Sequence, residues 1–450
     1  MVHVHGSWRV PVSAMAVAAV ALASACSSSS SGTATQASPA SPGVAVSSLK
    51  LPFTPTLVPY GTGGAAEAPA APAAPAGGNG GATAPGVSAT AIQLGQLISL
   101  TGLAPGVFQG VADSAKAYAD YVNSLGGVYG RKLQIQVGDD SFDVVKDQTV
   151  CQRLVPQVLA LVAGYATADA GCYPLMKSSG IPVVGPLVFD PQIYALPNAF
   201  VPRPDYYSNL LPALEVALHP GVKKVWLCEQ DVPGIAAEAA PEARAWESLG
   251  VQVLNLPPLS SNAPDYTAAV VQAKNDGAQA VDCFSPDAQV TAQVAQAMAQ
   301  QGWDPPAKMG YSSYSSAFQS LAGSAANGWS AETPVPTLDA AQFLSTPAGK
   351  LYRKWVGGAP QTSYDYYGWV YMDLVVQALV KAGPNLTRAN FTAALRAVRD
   401  FTADGMVPPF NPGSKGEPTA CLMMIQIVNG QFTQIVPQEG DLVCGGQFFG

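Results

Sequence analysis

Histidine is nearly absent from this sequence: of 450 residues only His3, His5 and His219 carry an imidazole. The first two fall in a segment that reads as a cleaved leader, and His219 sits in "LHPG", before a strand rather than after one. A Ser/His/Asp triad or a multi-histidine metal site therefore has no basis here. No C-x-x-C occurs, and the glycine-rich "GGVYG" follows a helical pattern rather than a strand, so neither a zinc ribbon nor a dinucleotide loop is expected. No cofactor or metal is expected. Charge is scarce as well, at 12% of residues with a formal net charge of −8, and only Arg9, Lys50 and Glu67 are charged in the first 90 residues. The remainder holds 20 basic and 29 acidic residues without a basic cluster, which argues against a nucleic-acid partner.

The apolar run from Val10 to Ala23, preceded by Arg9, is too short to span a bilayer as an ordinary helix and reads as a targeting segment, residues 1–25. The "LASAC" after it fits either a plain A-x-A cut or a lipoprotein signal that leaves a lipidated Cys26 as first residue, anchoring the chain to the outer face of the cell membrane. Setting Cys26 aside leaves an even six cysteines in an exported chain, which favours the lipid anchor. Residues 26–90 are rich in Ser, Ala, Pro and Gly and read as a tether that cannot bury enough apolar surface to order itself. Within it, "LKLPFTPTLVPY" is more apolar but is also read as linker.

Beyond Ala91 the chain alternates strand-like and helix-like segments. The joint "LGGVYGRKLQIQVGDD" illustrates the rhythm: Ala115, Tyr118, Ala119, Val122 and Leu125 form one helical face, Gly126 and Gly127 end it, and Leu133, Ile135 and Val137 alternate as a strand. Asp139 and Asp140 then stand at the carboxyl end of that strand, where open α/β sheets gather ligands, or else cap the following helix. Two such series imply an α/β protein of two Rossmann-like lobes, each a parallel sheet flanked by helices. The expected division is 91–203 for the first lobe, 204–335 for the second, 336–400 returning to the first, and 401–450 a hairpin and tail on the second. A multi-crossing hinge would join them. The hairpin turns at Asn429-Gly430.

The order "LGQLISLTG", helix, "NSLGGVYGRKLQIQVGDD", cysteine-bearing helix and "IPVVGP" resembles the branched-chain amino-acid binding proteins of bacterial ABC importers, the type 1 periplasmic binding proteins. That resemblance implies a non-enzymatic extracytoplasmic protein that holds a small-molecule solute between two lobes and delivers it to an ABC permease and its ATPase. It also implies a bridge between Cys151 and Cys172. Cys228 and Cys283 lie near strand ends and Cys421 and Cys444 bracket the hairpin, so sequential pairing is the expectation among fifteen possibilities. The pocket is expected from Thr101, Tyr165, Ala166, Thr167, Leu187 and Phe189 of the first lobe with Asp231, Phe284, Tyr311 and Tyr314 of the second. Most positions where the family's amino-acid binders hold the zwitterion read differently here, so the expected solute is neutral, apolar or aromatic. Two alternatives stand beside the importer: a ligand-sensing receptor or scaffold of the same fold without an importer, and an extracellular hydrolase using paired carboxylates.

Overall fold

The computed structural model describes residues 43–59, 72–188, 190–201, 208–335, 344–358, 360–414, 420–437 and 441–449. The signal segment, Cys26 and Phe189 lie outside them. After one short N-terminal strand, β1 (Thr56–Pro59), the strands fall into two sheets. The first holds β2 (Ala91–Ile98), β3 (Lys132–Asp139), β4 (Leu161–Val162), β5 (Val183–Val184) and β6 (Ala199–Phe200), all parallel in the order β3-β2-β4-β5-β6. The second holds β7 (Lys224–Glu229), β8 (Gln252–Leu254), β9 (Ala280–Phe284), β10 (Ala307–Gly310) and β11 (Ser330–Thr333), parallel among themselves. It continues antiparallel through β12 (Ala420–Val428), β13 (Gln431–Val436) and β14 (Asp441–Gly445). The α/β class and two-sheet architecture are those expected. Strands β6, β11 and β14 were not foreseen, and β4 and β5 are two residues each.

The helix-to-strand joint forms as read. Helix Gln109–Ser124 buries Val111, Ala115, Tyr118, Ala119 and Val122, whereas Leu125 is its exposed cap. Gly127, at φ 78°, donates to the Val122 carbonyl at 3.0 Å, and a Cβ there would lie 2.0 Å from the Arg131 carbonyl oxygen. Helix Asp365–Ala382 returns to this lobe and crosses Gln109–Ser124 closely, because Gly368 leaves no side chain between them: a Cβ there would lie 2.0 Å from Val111 O. It buries residues on nearly every side, Tyr366, Val370, Leu374 and Val375 among them. Three disulfides close, Cys151–Cys172, Cys228–Cys283 and Cys421–Cys444.

The tether expectation needs correction. Residues 43–59 dock on the second lobe: Val46 is buried with Leu210, Leu214 and Leu422, and β1 pairs antiparallel with β14 from Thr56↔Cys444 to Pro59↔Asp441. Residues 72–90 dock on the first. Arg131, fully buried, donates through Nε to Ser88 O at 2.7 Å, through Nη1 to Pro384 O at 2.8 Å, and through Nη2 to Gly81 O at 3.1 Å and to Asn79 O. Asn79 Nδ2 in turn donates to Ala89 O and Tyr129 O. The composition misled because this segment needs few apolar anchors; one guanidinium satisfies carbonyls that would otherwise stay in water. Among the described residues no helix is long and apolar enough to cross a membrane.

Candidate functional site

The carboxyl end of the first sheet is shaped by Asp139. Its carboxylate accepts from Leu100 N at 2.9 Å, Thr101 Oγ1 at 2.5 Å and Ser141 N at 2.9 Å, with Lys146 Nζ 3.5 Å away. Burial favours its neutral form, but these bonds outweigh that and hold its pKa far below the usual range. Asp139 thus fixes the loop carrying Thr101. Asp140 is buried, which raises its pKa, and accepts from Phe142 N at 2.9 Å. The cap of the next helix, Val144–Leu154, is neither of them but Asp143, whose side chain accepts from Lys146 N.

Deeper in the cleft, Tyr165 on the loop after β4 packs its ring 5.5 Å from Phe108, 5.9 Å from Tyr364 and 5.8 Å from Tyr367. Tyr364 stands at the entry of helix Asp365–Ala382. The second lobe meets the chain just before it, where Ser316 N donates to Gln361 O at 3.1 Å and Ser315 bridges Thr362. Asp365 fixes that entry, accepting from Gln361 N at 2.6 Å and Thr362 Oγ1 at 2.7 Å. Burial first, then Glu238 and Glu332 of the second lobe, push the Tyr364 hydroxyl pKa up. Across the cleft Phe284 meets Tyr311 edge-on at 5.0 Å. Phe108, Tyr165, Leu187 and Phe284 share one core cluster, with Tyr311, Tyr364 and Tyr367 partly buried against it. Each sheet thus carries aromatic rings at its carboxyl end, and one apolar cluster that runs through both lobes, an aromatic seam, includes both groups.

Behind Tyr311 lie the buried carboxyls of Glu238, Glu242 and Asp282. Glu242, Asp282 and Glu332 line a water-sized cavity with Ser208, Phe284 and Tyr311, and its lining includes no lysine or arginine. Burial pushes Asp282 up to about 7 although Trp246 Nε1 donates to it at 3.0 Å. It raises Glu238 and Glu242 well above the carboxylate range. Burial therefore favours the protonated forms of Glu238, Glu242 and Asp282. Among the described residues no group of His, Cys, Asp and Glu is arranged to hold a metal ion.

The expected residues divide into those the seam unites and those it does not. Tyr165, Leu187 and Phe284 belong to that cluster, and Tyr311 packs against it and against Phe284. Thr101 is exposed at the mouth. Ala166 packs with Cys151, Cys172 and Met176 instead. Thr167 is buried, its N–H donating to Ser99 Oγ at 3.2 Å, and its own hydroxyl has no hydrogen-bond partner among the described residues. Asp231 is exposed, with its N–H on Leu259 O. Tyr314 is buried away from the seam, against Phe432 at 4.9 Å, in a cluster with Ala331, Met423 and Ile425. Residues three apart eclipse within a 3-10 turn, but the turn ends at Ser313 and Tyr314 is the cap that leaves it, at φ −86° and ψ 63°, which lets it turn away from Tyr311. Phe108, Tyr364, Tyr367 and Glu238 were not foreseen; the aromatic run "YDYYGWVY" was the available signal for the tyrosines.

Comparison with known proteins places this geometry. A profile of the periplasmic binding protein family matches residues 91–431. A Leu/Ile/Val-binding protein homolog of Brucella abortus is 30% identical over 174 residues, which cover 35% of this chain and 44% of that protein. Less than half of that relative's length is thus matched. Among solved structures, a fatty acid ABC transporter substrate-binding protein from Thermomonospora curvata superposes with a TM-score of 0.66 at 21% identity, covering 84% of this chain and 97% of its own. A leucine-binding protein from Thermotoga maritima gives 0.65 at 16% identity over 78% and 98%. The branched-chain amino acid transporter substrate-binding protein of Streptococcus pneumoniae, solved with isoleucine, gives 0.64 at 17% over 79% and 100%. With a family profile that runs from the first strand of one sheet into the last hairpin of the other, the chain is a member of the periplasmic binding protein family.

Proposed function

We propose that this protein captures a small, uncharged, apolar or aromatic solute between its two lobes and hands it to an ABC importer, without acting on it chemically. The observation that carries this reading is the aromatic seam of Tyr165, Tyr364, Phe284 and Tyr311, backed by carboxyls that burial biases toward the neutral form. Apolar and aromatic walls with a few polar groups suit a neutral guest. A zwitterion resting on Tyr311 would set its carboxylate near Glu238, which Tyr311 hydrogen-bonds, and near Glu242, Asp282 and Glu332 behind it, acids that cannot neutralise its charge. An unpaired buried charge costs several kcal/mol, or about a thousandfold in affinity. The solved relatives include both a fatty acid and a branched-chain amino acid transporter protein, so the fold accepts an apolar guest.

In this proposal 91–203 and 336–400 make the first lobe and 204–335 with 401–450 the second, and a lipidated Cys26 holds the protein at the outer face of the membrane. Calorimetry with leucine, isoleucine and valine, beside a thermal-shift screen of neutral aromatic and apolar compounds, tests the solute reading. A neutral compound should raise the melting temperature, and Tyr364→Ala should abolish that rise. Micromolar binding of any of the three amino acids overturns it. Fatty-acid labelling tests the anchor: wild type should carry label and Cys26→Ser should not.

A further inference from the structure

The family profile ends at residue 431, yet the chain continues into elements that touch both lobes. Strand β14 is pinned on one side by β12, on the other by β1, and by the Cys421–Cys444 disulfide. The tail beyond β14 is held to the second lobe residue by residue. Asn209 and Gln447 exchange two bonds, Asn209 N–H to Gln447 O at 2.9 Å and Gln447 N–H to Asn209 Oδ1 at 2.7 Å. Phe448 bridges Ser208 antiparallel, and Arg244 Nη2 donates to Phe449 O. So firmly placed, the Phe448 ring faces the first lobe. It packs 6.1 Å from Tyr194, on helix Pro191–Ala195, against the cluster that holds Met176, Ile193 and Leu196.

We infer that the C-terminal tail is a brace between the lobes: Phe448, presented rigidly by the second lobe, seats against Tyr194 of the first and restricts how far the lobes rotate apart. The tail is tied to Ser208 and Asn209, which lead into helix Leu210–Leu218 of the second lobe, so its grip acts at the edge of that lobe. Opening the cleft requires the ring to leave its seat, and the apolar area so exposed favours the state described here. A protein biased toward its binding-competent arrangement binds more tightly by the fraction of molecules already in it. This inference concerns lobe motion and holds whatever the solute.

The test needs no ligand. Spin labels at Lys116→Cys on the first lobe and Lys274→Cys on the second, both exposed, report the interlobe distance by pulsed dipolar spectroscopy on the otherwise intact protein. Phe448→Ala should shift or broaden the distribution toward longer distances than wild type. Tyr194→Ala should do the same from the other side, and Tyr194→Phe, which keeps the ring, should match wild type. If Phe448→Ala fails to fold, Tyr194→Ala decides alone. Alanine variants that lower the melting temperature yet superimpose on the wild-type distribution would overturn the brace, since the contact would then be mere packing.

Discussion

The Tyr118 hydroxyl donates to the Asp373 carboxylate at 2.6 Å, joining two helices whose residues lie 255 positions apart. Both side chains are buried, and Gln377 Nε2 supplies Asp373 a second donor at 3.0 Å. Tyr118→Phe removes the shorter bond and leaves a buried carboxyl under-satisfied, so it should cost about 1–3 kcal/mol in urea unfolding. A variant as stable as wild type would mean that water replaces the phenol.

Two glycines should resist even alanine. At Gly368 a Cβ meets Val111 O at 2.0 Å and Ser114 Oγ at 2.4 Å; at Gly185, with φ 65°, it meets the Tyr371 ring at 2.0 Å. Gly368→Ala and Gly185→Ala should each destabilise by roughly 1–3 kcal/mol or more, as overpacking does. Gly126→Ala meets nothing within 4 Å and carries only the strain of its φ of 112°. It should therefore lose less, and thermal melts of the three variants give the order.

Stability should fall as the medium becomes alkaline. Burial pushes Asp147 and Glu215 up to about 8 and Asp282 and Asp373 up to about 7. Each binds its proton more tightly folded than unfolded, where a carboxyl titrates near about 4. Their contribution is full below that value and is lost as the pH climbs toward 8. The melting temperature should accordingly drop between about pH 5 and pH 8. Asp147→Asn should flatten part of the slope, gaining at the alkaline end and changing little at the acid end. A melting temperature that rose across this range would contradict the assignment.

Peptide mapping without reductant should recover the three sequential disulfides. The Cys151–Cys172 bridge, with a sequence separation of 21, ties the first-lobe helix Val144–Leu154 to the segment that follows the Tyr165 loop. Replacing both cysteines by serine should cost about 3 kcal/mol in denaturant unfolding.

The fold was legible where one physical rule decides an element. Alternation made β3 readable, and paired glycines after a helical face made its preceding joint readable, because period and turn chemistry act locally. The site was legible only in part. Tyr165 and Phe284 stand directly after or at the end of strands, so topology alone sends them to the cleft. Tyr364 and Tyr367 lie near the start of a helix whose other tyrosines are core, and nothing local distinguishes the two roles. Glu238 and Glu242 were hidden for a related reason: in "IAAEAAPEARAWES" acids at helical spacing imitate a solvated face, yet helix Ile235–Ser248 turns them inward. Val46 and Arg131 were missed because docking by a few anchors leaves almost no compositional trace.

Strand β1 also bears on where this protein can be cut. A recombinant chain begun at Ala91, where the family profile starts, would lose the strand that covers β14 and the carbonyls of Asn79, Gly81 and Ser88 that receive the Arg131 guanidinium. The bared β14 edge invites intermolecular strand pairing, and a buried cation stripped of its acceptors invites water into the first lobe. Such a shortened protein would pass for an aggregation-prone family member when the fault lay in its chosen starting residue; beginning at Gly43 or earlier keeps both.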